Sequence, residues 1–521
     1  MSNNNNNKFT VINPNDHPQS NADGNIRLHQ YQKDGVSWMC SKELSSIKGG
    51  ILCDEMGLGK TVQIIALLIE GFRSKRISGT TLILVPKSLT IQWVNEITRF
   101  SNLRTAIYET QHNKLDAINL ENVDVVVATY SSLNVNCNLQ NVNWARIVLD
   151  EGHCIRTKST KLYQYVSSLD CHGPKWILTG TPIYNKMSDF VNLMKWIGVD
   201  KQRVKFEANL VQKEFVLRRT KENVASSCER LRLPKCKIEN VIIEPSDFER
   251  TLYKKVLDQA VEKIGKASSI LYSKPDDDDD DDDDKTNNSK KIHQGKKNML
   301  LIKSILRCRQ AMIHPELWIK SVSQKYKTPI SEDKLESLVS NKVECLKTEI
   351  QKHKNEKTLI FCQFTNEIDI IERELHKIGY NNVSRLEGCM NTEQRQLSLD
   401  QFKNGEESSV LILQIVAGGF GLNIQEATRI YMLSPSWNPA TEIQAISRAH
   451  RTGQTEEVKV KRIIYNHLDD THPSIDLEML ECQKKKARLT AKVLEDPSLE
   501  TATNLPFSNK FYDSLARMFY R

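Results

Sequence analysis

Three clusters of residues in this chain could act on a phosphate, and the first is a glycine loop. Cys53–Thr61 reads C-D-E-M-G-L-G-K-T. The short apolar run Gly49–Leu52 precedes it like the end of a strand, and Val62–Ile69 follows it as a buried helix. Strand, glycine turn, Lys-Thr and helix is the arrangement that holds nucleotide phosphates, because Gly57 and Gly59 let backbone N–H groups approach an anion.

Two side chains of the loop carry the predicted chemistry. Lys60 would reach the β- and γ-phosphates, and Thr61 would hold Mg²⁺. The strict pattern has glycine six positions before the lysine, where this chain has Asp54. Because G-x-G-K-T also occurs by chance in loops, the interpretation depends on the rest of the chain. The residues expected to line the nucleotide here are Asp54, Glu55, Met56, Gly57, Leu58, Gly59, Lys60 and Thr61.

The second cluster is an acidic pair. The apolar run Arg146–Leu149 leads straight into Asp150 and Glu151, which places both carboxylates at the edge of a sheet, opposite the phosphate loop. Asp150 can hold Mg²⁺ through its water shell, and Glu151 can orient and deprotonate the attacking water. An exposed acidic turn is the alternative.

The third cluster is cationic. Arg448 and Arg451 lie three residues apart in Q-A-I-S-R-A-H-R-T-G-Q and would share one face of a helix. A solvated basic face is the alternative. The stretch A-G-G-F-G-L-N at 417–423 argues against it, because such glycines suit a backbone packed against a ligand.

Composition limits the class of protein. The chain has 521 residues and a net charge of +8, and setting aside the nine aspartates of Asp276–Asp284 raises that charge to +17. Such a surplus suits a polyanionic partner, although it could also serve solubility. The twelve cysteines form no C-x-x-C pair, so neither structural zinc nor a disulfide framework is expected. No run approaches the ~20 apolar residues of a membrane span, and Met1–Asn25 lacks the core of a signal peptide. We expect a soluble, intracellular protein with no membrane partner.

The elements that must position these clusters alternate in two blocks. Short apolar runs that end in polar turns lie at 81–85, 123–128, 146–149 and 176–178, and again at 358–361, 410–413 and 429–433. They predict an α/β fold with parallel sheets and sites at the carboxyl ends of the strands. Between the blocks the chain is helical and basic, and the Asp run with 285–297 interrupts it as a charged insert. We expect that insert to be a mobile surface segment; the sharper hypothesis is a DNA mimic that occupies the basic cleft.

The motifs, in their order, resemble those of the Swi/Snf family of DNA-dependent ATPases within helicase superfamily two. The segments that carry the resemblance span about residues 26–490 and are L-H-Q-Y-Q-K-D-G-V-S-W-M, D-E-M-G-L-G-K-T, L-I-L-V-P-K-S-L, A-T-Y-S-S-L, D-E-G-H-C-I-R-T, L-T-G-T-P-I-Y-N, L-R-R-T-K, I-F-C-Q-F-T, A-G-G-F-G-L-N and W-N-P-A-T-E-I-Q-A-I-S-R-A-H-R-T-G-Q. The glycine of D-E-G-H resembles the subgroup of the helicase-like transcription factor and the postreplication-repair translocases. That subgroup often has a zinc-binding RING domain after the element that matches His314-Pro315, but here only about twenty residues separate Pro315 from the second block. No ubiquitin-conjugating partner is therefore expected.

The resemblance implies two RecA-like parallel-sheet lobes with helical protrusions between them and a cleft for ATP. The expected division is a disordered Asn-rich tail at 1–25, the first lobe at 26–225, protrusions and linker at 226–335 with a disordered insert near 273–297, the second lobe at 336–470, and a helical brace and tail at 471–521.

The resemblance also implies residue roles. Gln32 would read adenine, and Gly421 would lie at the nucleotide. His153 with Thr179 and Thr181 would couple hydrolysis to lobe movement, while Arg448 and Arg451 would be arginine fingers. Ser447 stands where the family usually has aspartate, which leaves the local hydrogen bonding open. The DNA phosphates would lie near Lys87, Thr129, Tyr130, Ser131, Gln363, Phe364, Gly418 and Gly419.

The function implied is Mg²⁺-dependent ATP hydrolysis stimulated by double-stranded DNA, rather than RNA, and coupled to translocation and to remodelling of protein–DNA complexes. Two rivals stay open: a strand-separating DNA or RNA helicase, and a nucleic-acid-binding scaffold with a decayed ATPase. The compartment would be the nucleus or, for a viral protein, the host cytoplasm, a virus factory or the virion.

Overall fold

The computed structural model describes residues 11–12, 28–108, 122–134, 137–225, 233–272, 299–326, 330–405, 408–415, 422–468 and 473–494. The Asp run and the glycines Gly418, Gly419 and Gly421 lie outside these ranges, as does most of the N-terminal tail. No helix in the described ranges is both long and apolar enough to cross a membrane.

The first lobe is built on a sheet. Its strands are β1 (Val11–Ile12), β2 (Gly49–Leu52), β3 (Thr81–Val85), β4 (Thr105–Tyr108), β5 (Val125–Thr129), β6 (Arg146–Asp150), β7 (Lys175–Leu178) and β8 (Val216–Leu217). Their spatial order is β1-β4-β5-β3-β6-β7-β2-β8, and every neighbouring pair is parallel except β1 with β4. The central strands are continuous apolar runs because helices cover both faces of the sheet. The helices of this lobe are α1 (Gln30–Glu43), α2 (Lys60–Arg73), α3 (Thr90–Phe100), α4 (Lys161–Ser167), α5 (Met187–Ile197), α6 (Lys201–Phe206), α7 (Ala208–Phe215) and α8 (Lys221–Val224).

The second lobe contains a second parallel sheet. Its strands are β9 (Cys236–Ile243), β10 (Thr358–Cys362), β11 (Val383–Leu386), β12 (Val410–Gln414), β13 (Arg429–Met432) and β14 (Val458–Tyr465), in the order β11-β12-β10-β13-β14-β9. The remaining helices are α9 (Asp247–Tyr272), α10 (299–313), α11 (Pro315–Tyr326), α12 (Glu332–Glu336), α13 (Asn341–Lys352), α14 (Thr365–Lys377), α15 (Thr392–Asn404), α16 (Pro439–Ile446) and α17 (Ile475–Leu494). Two parallel-sheet α/β lobes confirm the predicted fold class.

Two strands differ from the expectations. The interval 226–335, expected to be helical protrusions and linker, also contains β9, which pairs with β14 along its whole length. Val241 and Ile243 of β9 pack on the second core, so burial against that core recruits the strand. In the tail expected to be disordered, Val11 and Ile12 pair with Ala106 and Thr105 at the edge of the first sheet.

The last helix joins the lobes. Val493 and Leu494 of α17 belong to the first core, while Ile475 and Met479 pack with the protrusion helices α9 and α10. Between those ends, Gln483 Nε2 donates to the backbone oxygen of Ser436 at 2.6 Å. The brace therefore contacts both lobes.

Candidate active site

The strand order brings the predicted catalytic segments to one edge. Strands β6, β7 and β2 are consecutive neighbours, and Leu178 at the end of β7 lies in register with Asp150 on one side and Leu52 on the other. The segments that follow these strands, including the phosphate loop and Thr179, consequently meet at the carboxyl edge of the first sheet.

The phosphate loop needs both of its glycines. Gly57 and Gly59 have φ values of 92° and 73°, a left-handed conformation that glycine adopts without steric cost. A Cβ at Gly59 would also lie 2.6 Å from Nε2 of Gln32. Helix α2 begins immediately after Gly59, so its first N–H groups point toward the loop and form an anion-binding end.

Asp54 anchors the loop from beneath. Its side chain is fully buried and accepts hydrogen bonds from Arg219 Nε at 2.9 Å and from Gln63 Nε2 at 3.0 Å. Its backbone oxygen accepts from Lys60 Nζ at 2.7 Å. The carboxylate predicted to line the nucleotide is thus committed to a buried ion pair, and the residue contributes to the loop through its backbone and that anchor.

Two arginines of the L-R-R-T-K segment, Arg218 and Arg219, hold the loop in place and were not predicted to belong to the site. Arg219 stacks over the Tyr31 ring at 5.3 Å and donates to Gln63 Oε1 at 2.8 Å. Its neighbour Arg218 donates to the backbone oxygens of Cys53 at 3.1 Å and Gly180 at 3.3 Å. They follow β8, far from the loop in sequence, so only the adjacent pair of arginines in L-R-R-T-K could have signalled them.

Gln32, expected to read adenine, lies directly against the loop. Its amide oxygen accepts from the His29 backbone N–H at 3.0 Å, and its amide nitrogen donates to the Leu58 backbone oxygen at 3.3 Å. Tyr31 donates to the same oxygen at 3.2 Å. The start of α1 therefore packs on the phosphate loop.

Asp150 is a buried carboxylate with two fixed donors. Trp93 Nε1 donates to Oδ2 at 2.7 Å, and the Glu151 backbone N–H donates to Oδ1 at 2.9 Å. Burial and the adjacent charge of Glu151 raise the pKa of Asp150 to about 7, while the charge of Lys60 opposes that rise. Together with the Thr61 hydroxyl this is an all-oxygen donor set, which fits a hard cation such as Mg²⁺.

Glu151 has an unusual backbone for a glutamate. Its φ of 49° is left-handed, and such non-glycine conformations concentrate at functional sites. His153 Nδ1 lies 3.2 Å from Glu151 Oε2 and 3.2 Å from Thr179 Oγ1. Burial alone would raise the pKa of Glu151, but the adjacent His153 and the charges of Lys60 and Arg448 lower it below its usual value. Thr179 Oγ1 in turn accepts from the Thr181 backbone N–H at 3.1 Å.

The second lobe brings one arginine to this pair. Arg448 is 5% exposed, and it is close enough that its charge lowers the pKa of Glu151; burial lowers its own pKa to about 10. Arg451 has a different charged neighbour, because its charge acts on Glu96 of α3. The charges of the two predicted arginine fingers thus act on different carboxylates of the first lobe.

Other contacts between the lobes surround the loop. Ser447 Oγ lies 3.3 Å from Sδ of Met56, and Lys221 Nζ lies 3.3 Å from the backbone oxygen of His450. Lys221 also pairs with Glu55 at 3.4 Å. Ser447 Oγ donates to the Gln444 backbone oxygen at 2.7 Å, which describes the hydrogen bonding of the serine that stands in place of the usual aspartate.

The predicted DNA-contacting residues are partly engaged within the protein. Tyr130 donates its hydroxyl to the Asp150 backbone oxygen at 2.8 Å, and Gln363 Nε2 donates to Ser436 Oγ at 3.1 Å. The Thr129 and Ser131 hydroxyls lie 2.9 Å apart. Lys87 is exposed at the end of β3, and the backbone N–H of Phe364 donates to Glu367 at 3.1 Å.

Two domain families match this chain. The SNF2-related domain matches residues 31–210, and the helicase conserved C-terminal domain matches residues 341–453. Together they cover more than half of the chain and both halves of the site. The chain is an ATP-hydrolysing enzyme with an SNF2-related domain and a helicase C-terminal domain.

Several longer proteins are also similar to this chain. The ISWI chromatin-remodeling complex ATPase ISW1 of Saccharomyces cerevisiae is 28% identical over 92% of this chain and 41% of its own length. The transcription regulatory protein SNF2 of the same yeast is 29% identical over 90% of this chain and 28% of its own length. The ATP-dependent helicase fft2 of Schizosaccharomyces pombe is 27% identical over 90% of this chain and 42% of its own length. The chain spans 28–42% of the length of these three relatives.

Two solved structures align with most of this chain. The Sulfolobus solfataricus SWI2/SNF2 ATPase core in complex with dsDNA covers 92% of this chain and 98% of its own, with 24% identity and a TM-score of 0.39. The Sulfolobus solfataricus SWI2/SNF2 ATPase core domain covers 89% of this chain and 94% of its own, with 24% identity and a TM-score of 0.38.

Proposed function

We propose that this SNF2-family ATPase is a DNA motor: it hydrolyses ATP with Mg²⁺, double-stranded DNA stimulates the reaction, and the energy drives translocation and remodelling of protein–DNA complexes. One observation carries the proposal. The segment of the second lobe that carries Arg448 contacts the phosphate loop of the first, since Ser447 Oγ lies 3.3 Å from Met56 Sδ, so the site is shared between two bodies that nucleic acid could bring together. The names of the relatives, which include chromatin-remodelling ATPases, and the net charge of +8 support DNA as the partner.

In this proposal the residues divide the reaction among themselves. The glycine loop and the start of α2 bind the phosphates, and Lys60 exchanges its bond to Asp54 for the β- and γ-phosphates. Glu151 orients and deprotonates the water, and Arg448 stabilises charge on the transferred phosphoryl group. Thr61 and Asp150 would hold Mg²⁺, which neutralises phosphate charge when bound. Gln32 would contact adenine, and Arg451 is a second candidate for the cationic role.

The proposal extends to partners and compartment. DNA phosphates would run past Lys87, the segment 129–131 and the Gln363-Phe364 segment. Gly418 and Gly419, which lie outside the described residues, are proposed for the same role. The relatives' names favour the nucleus, and nothing in them favours a viral protein. The relatives named are ISWI and Swi/Snf proteins, so kinship with the helicase-like transcription factor subgroup stays a proposal that depends on Gly152 alone.

The test is the steady-state ATPase rate with no nucleic acid, double-stranded DNA, single-stranded DNA and RNA. We expect double-stranded DNA to stimulate most, and the stimulation to fall with salt because each neutralised phosphate releases a counterion. Glu151→Gln is the matched control for contaminating ATPase. Equal stimulation by single-stranded RNA would favour an RNA helicase, and DNA binding with no hydrolysis would favour a scaffold.

A further inference from the structure

Tyr184 lies at the point where the catalytic carboxylate of the first lobe meets the second lobe. It belongs to the segment after β7 and is half-buried. Three backbone N–H groups, those of Tyr184, Asn185 and Lys186, donate to the buried carboxylate of Asp189 at 3.3, 2.6 and 3.2 Å. This cap at the start of α5 fixes the turn that carries Tyr184.

On the first-lobe side, Tyr184 holds the ring of His153. The two rings stack with centroids 5.7 Å apart and planes 9° apart, and the Arg156 guanidinium lies 4.1 Å from the centre of the tyrosine ring. His153 Nδ1 lies 3.2 Å from Glu151 Oε2. The tyrosine therefore sets the plane of the imidazole that contacts the proposed base.

On the other side, Tyr184 contacts the second lobe through two polar groups. Its hydroxyl lies 3.0 Å from Thr441 Oγ1, and its backbone oxygen accepts from Asn438 Nδ2 at 2.6 Å. Asn438 is also the N-cap of α16, because its Oδ1 accepts from the Ala440 backbone N–H at 2.9 Å. Both partners therefore lie in the first turn of α16.

Helix α16 leads to Arg448, the arginine whose charge acts on Glu151. It ends at Ile446, two residues before Arg448, whose charge acts on Glu151. The contacts from Glu151 through His153 and Tyr184 to α16, together with the charge of Arg448 acting on Glu151, form a ring that passes through both lobes. Separation of the lobes must break this ring at both crossings.

We propose that Tyr184 is a positioning residue that transmits docking of the second lobe to Glu151. This inference rests on the proposed function and deepens it: with the lobes docked, Thr441 and Asn438 fix Tyr184, and its ring fixes His153 against the base. With the lobes apart, the imidazole loses that support while Lys60 and the phosphate loop stay as they are. Hydrolysis, rather than ATP binding, is the step that Tyr184 controls.

The test uses Tyr184→Phe and Thr441→Val, which remove the two ends of one interlobe hydrogen bond and keep the ring stack. Each should lower kcat about two- to tenfold, the range that loss of one hydrogen bond gives, with KM for ATP changed less than about twofold. Because both changes break the same bond, the double variant should be no slower than the slower single variant. Tyr184→Leu also removes the stack and should be slower still.

Tyr380→Phe is the matched control. Its hydroxyl donates to the Ile350 backbone oxygen at 3.0 Å inside the second lobe, so it loses a comparable bond away from the ring and should retain kcat. Wild-type kcat in Tyr184→Phe, additive losses in the double variant, or a rise in KM that accounts for the whole effect would each overturn the proposal.

The assay separates this inference from the proposed function. All variants are measured with and without double-stranded DNA. If DNA fails to stimulate the wild type, the proposed DNA motor is wrong, while the effect of Tyr184 is still decided by the kcat values measured without DNA.

Discussion

Glu151 combines backbone strain with a charge that its surroundings maintain. A left-handed glutamate costs about 1–3 kcal/mol, which the rest of the fold must offset. Burial disfavours its ionised form, yet His153, Lys60 and Arg448 lower its pKa. A buried carboxylate that is ionised at neutral pH is already in the form that can accept a proton from water.

We expect Glu151→Gln to bind ATP and hydrolyse it at least ~100-fold more slowly, since an amide of the same shape cannot accept a proton. Binding is measured by titration of a fluorescent ATP analogue, and turnover by phosphate release. Turnover within twofold of wild type would remove Glu151 from the role of base.

His314 gives a residue-scale prediction about pH. It is 2% exposed, its Nδ1 accepts from the Glu316 backbone N–H at 3.3 Å, and burial lowers its pKa to about 4, against the opposing charge of Glu316. The unfolded chain binds a proton near pH 6.5 that the folded chain does not bind, so stability is retained above that pH and lost as the pH falls toward 4. Between pH 7.5 and pH 5 this residue alone should cost about 2 kcal/mol.

The check is urea denaturation of wild type and His314→Asn at both pH values. The variant should be less stable at pH 7.5 but lose less stability on acidification. Equal losses in the two proteins would contradict the assignment.

At the scale of elements, an ion pair between the segment after β8 and the phosphate loop holds the loop in place. Arg219 follows β8 and pairs with Asp54, which is wholly buried. Removing one partner of a buried ion pair leaves an uncompensated charge and typically costs about 3–5 kcal/mol. The geometry of the loop therefore depends on a strand more than 150 residues away.

We expect Arg219→Ala to lower the thermal midpoint and raise KM for ATP. Adding Asp54→Asn should restore part of the stability, because it removes the stranded charge. Differential scanning fluorimetry with and without ATP measures both effects. A double variant less stable than Arg219→Ala alone would show that the pair is not the source of the loss.

The sequence predicts those elements whose signal is local. The strands β3, β6, β10 and β12 are continuous apolar runs that end in polar turns, and each lies where such a run predicts it. In contrast, β11 reads V-S-R-L and the first half of β14 alternates valine with lysine, so neither is an uninterrupted apolar run. Strand β9 is recruited by its pairing with β14, a contact more than 200 residues distant in sequence.

The same distinction applies to the site. The glycine loop, Asp150 and Glu151 are adjacent in sequence to the strands that position them, so their convergence at one sheet edge is predictable. Arg219 and Tyr184 act through contacts with residues 165 and 257 positions away, which no local pattern reveals. The docking of the lobes likewise decides that the charge of Arg448 acts on Glu151 and the charge of Arg451 on Glu96.

At the scale of the whole molecule, we propose that the second lobe completes the site of the first. Lys60 and Glu151 come from one lobe and Arg448 from the other, and α17 contacts both. Charge spreads over the γ-phosphoryl oxygens in the transition state, and a cation from the second lobe covers what Lys60 cannot reach. Turnover should therefore require docked lobes, whereas ATP binding should not.

The most direct measurement is kcat and KM of Arg448→Ala with saturating double-stranded DNA. Arg448→Lys and Arg451→Ala are measured beside it. The control is Arg395→Ala, because the Nε of Arg395 donates to the Met390 backbone oxygen at 3.2 Å within the second lobe. We predict that Arg448→Ala lowers kcat by about 10³-fold or more and keeps ATP affinity within about tenfold. Lysine should rescue poorly, since it lacks the planar fork of arginine, and Arg451→Ala should be the smaller loss because Glu96 is its neighbour. Wild-type turnover in Arg448→Ala would contradict a site completed by the second lobe.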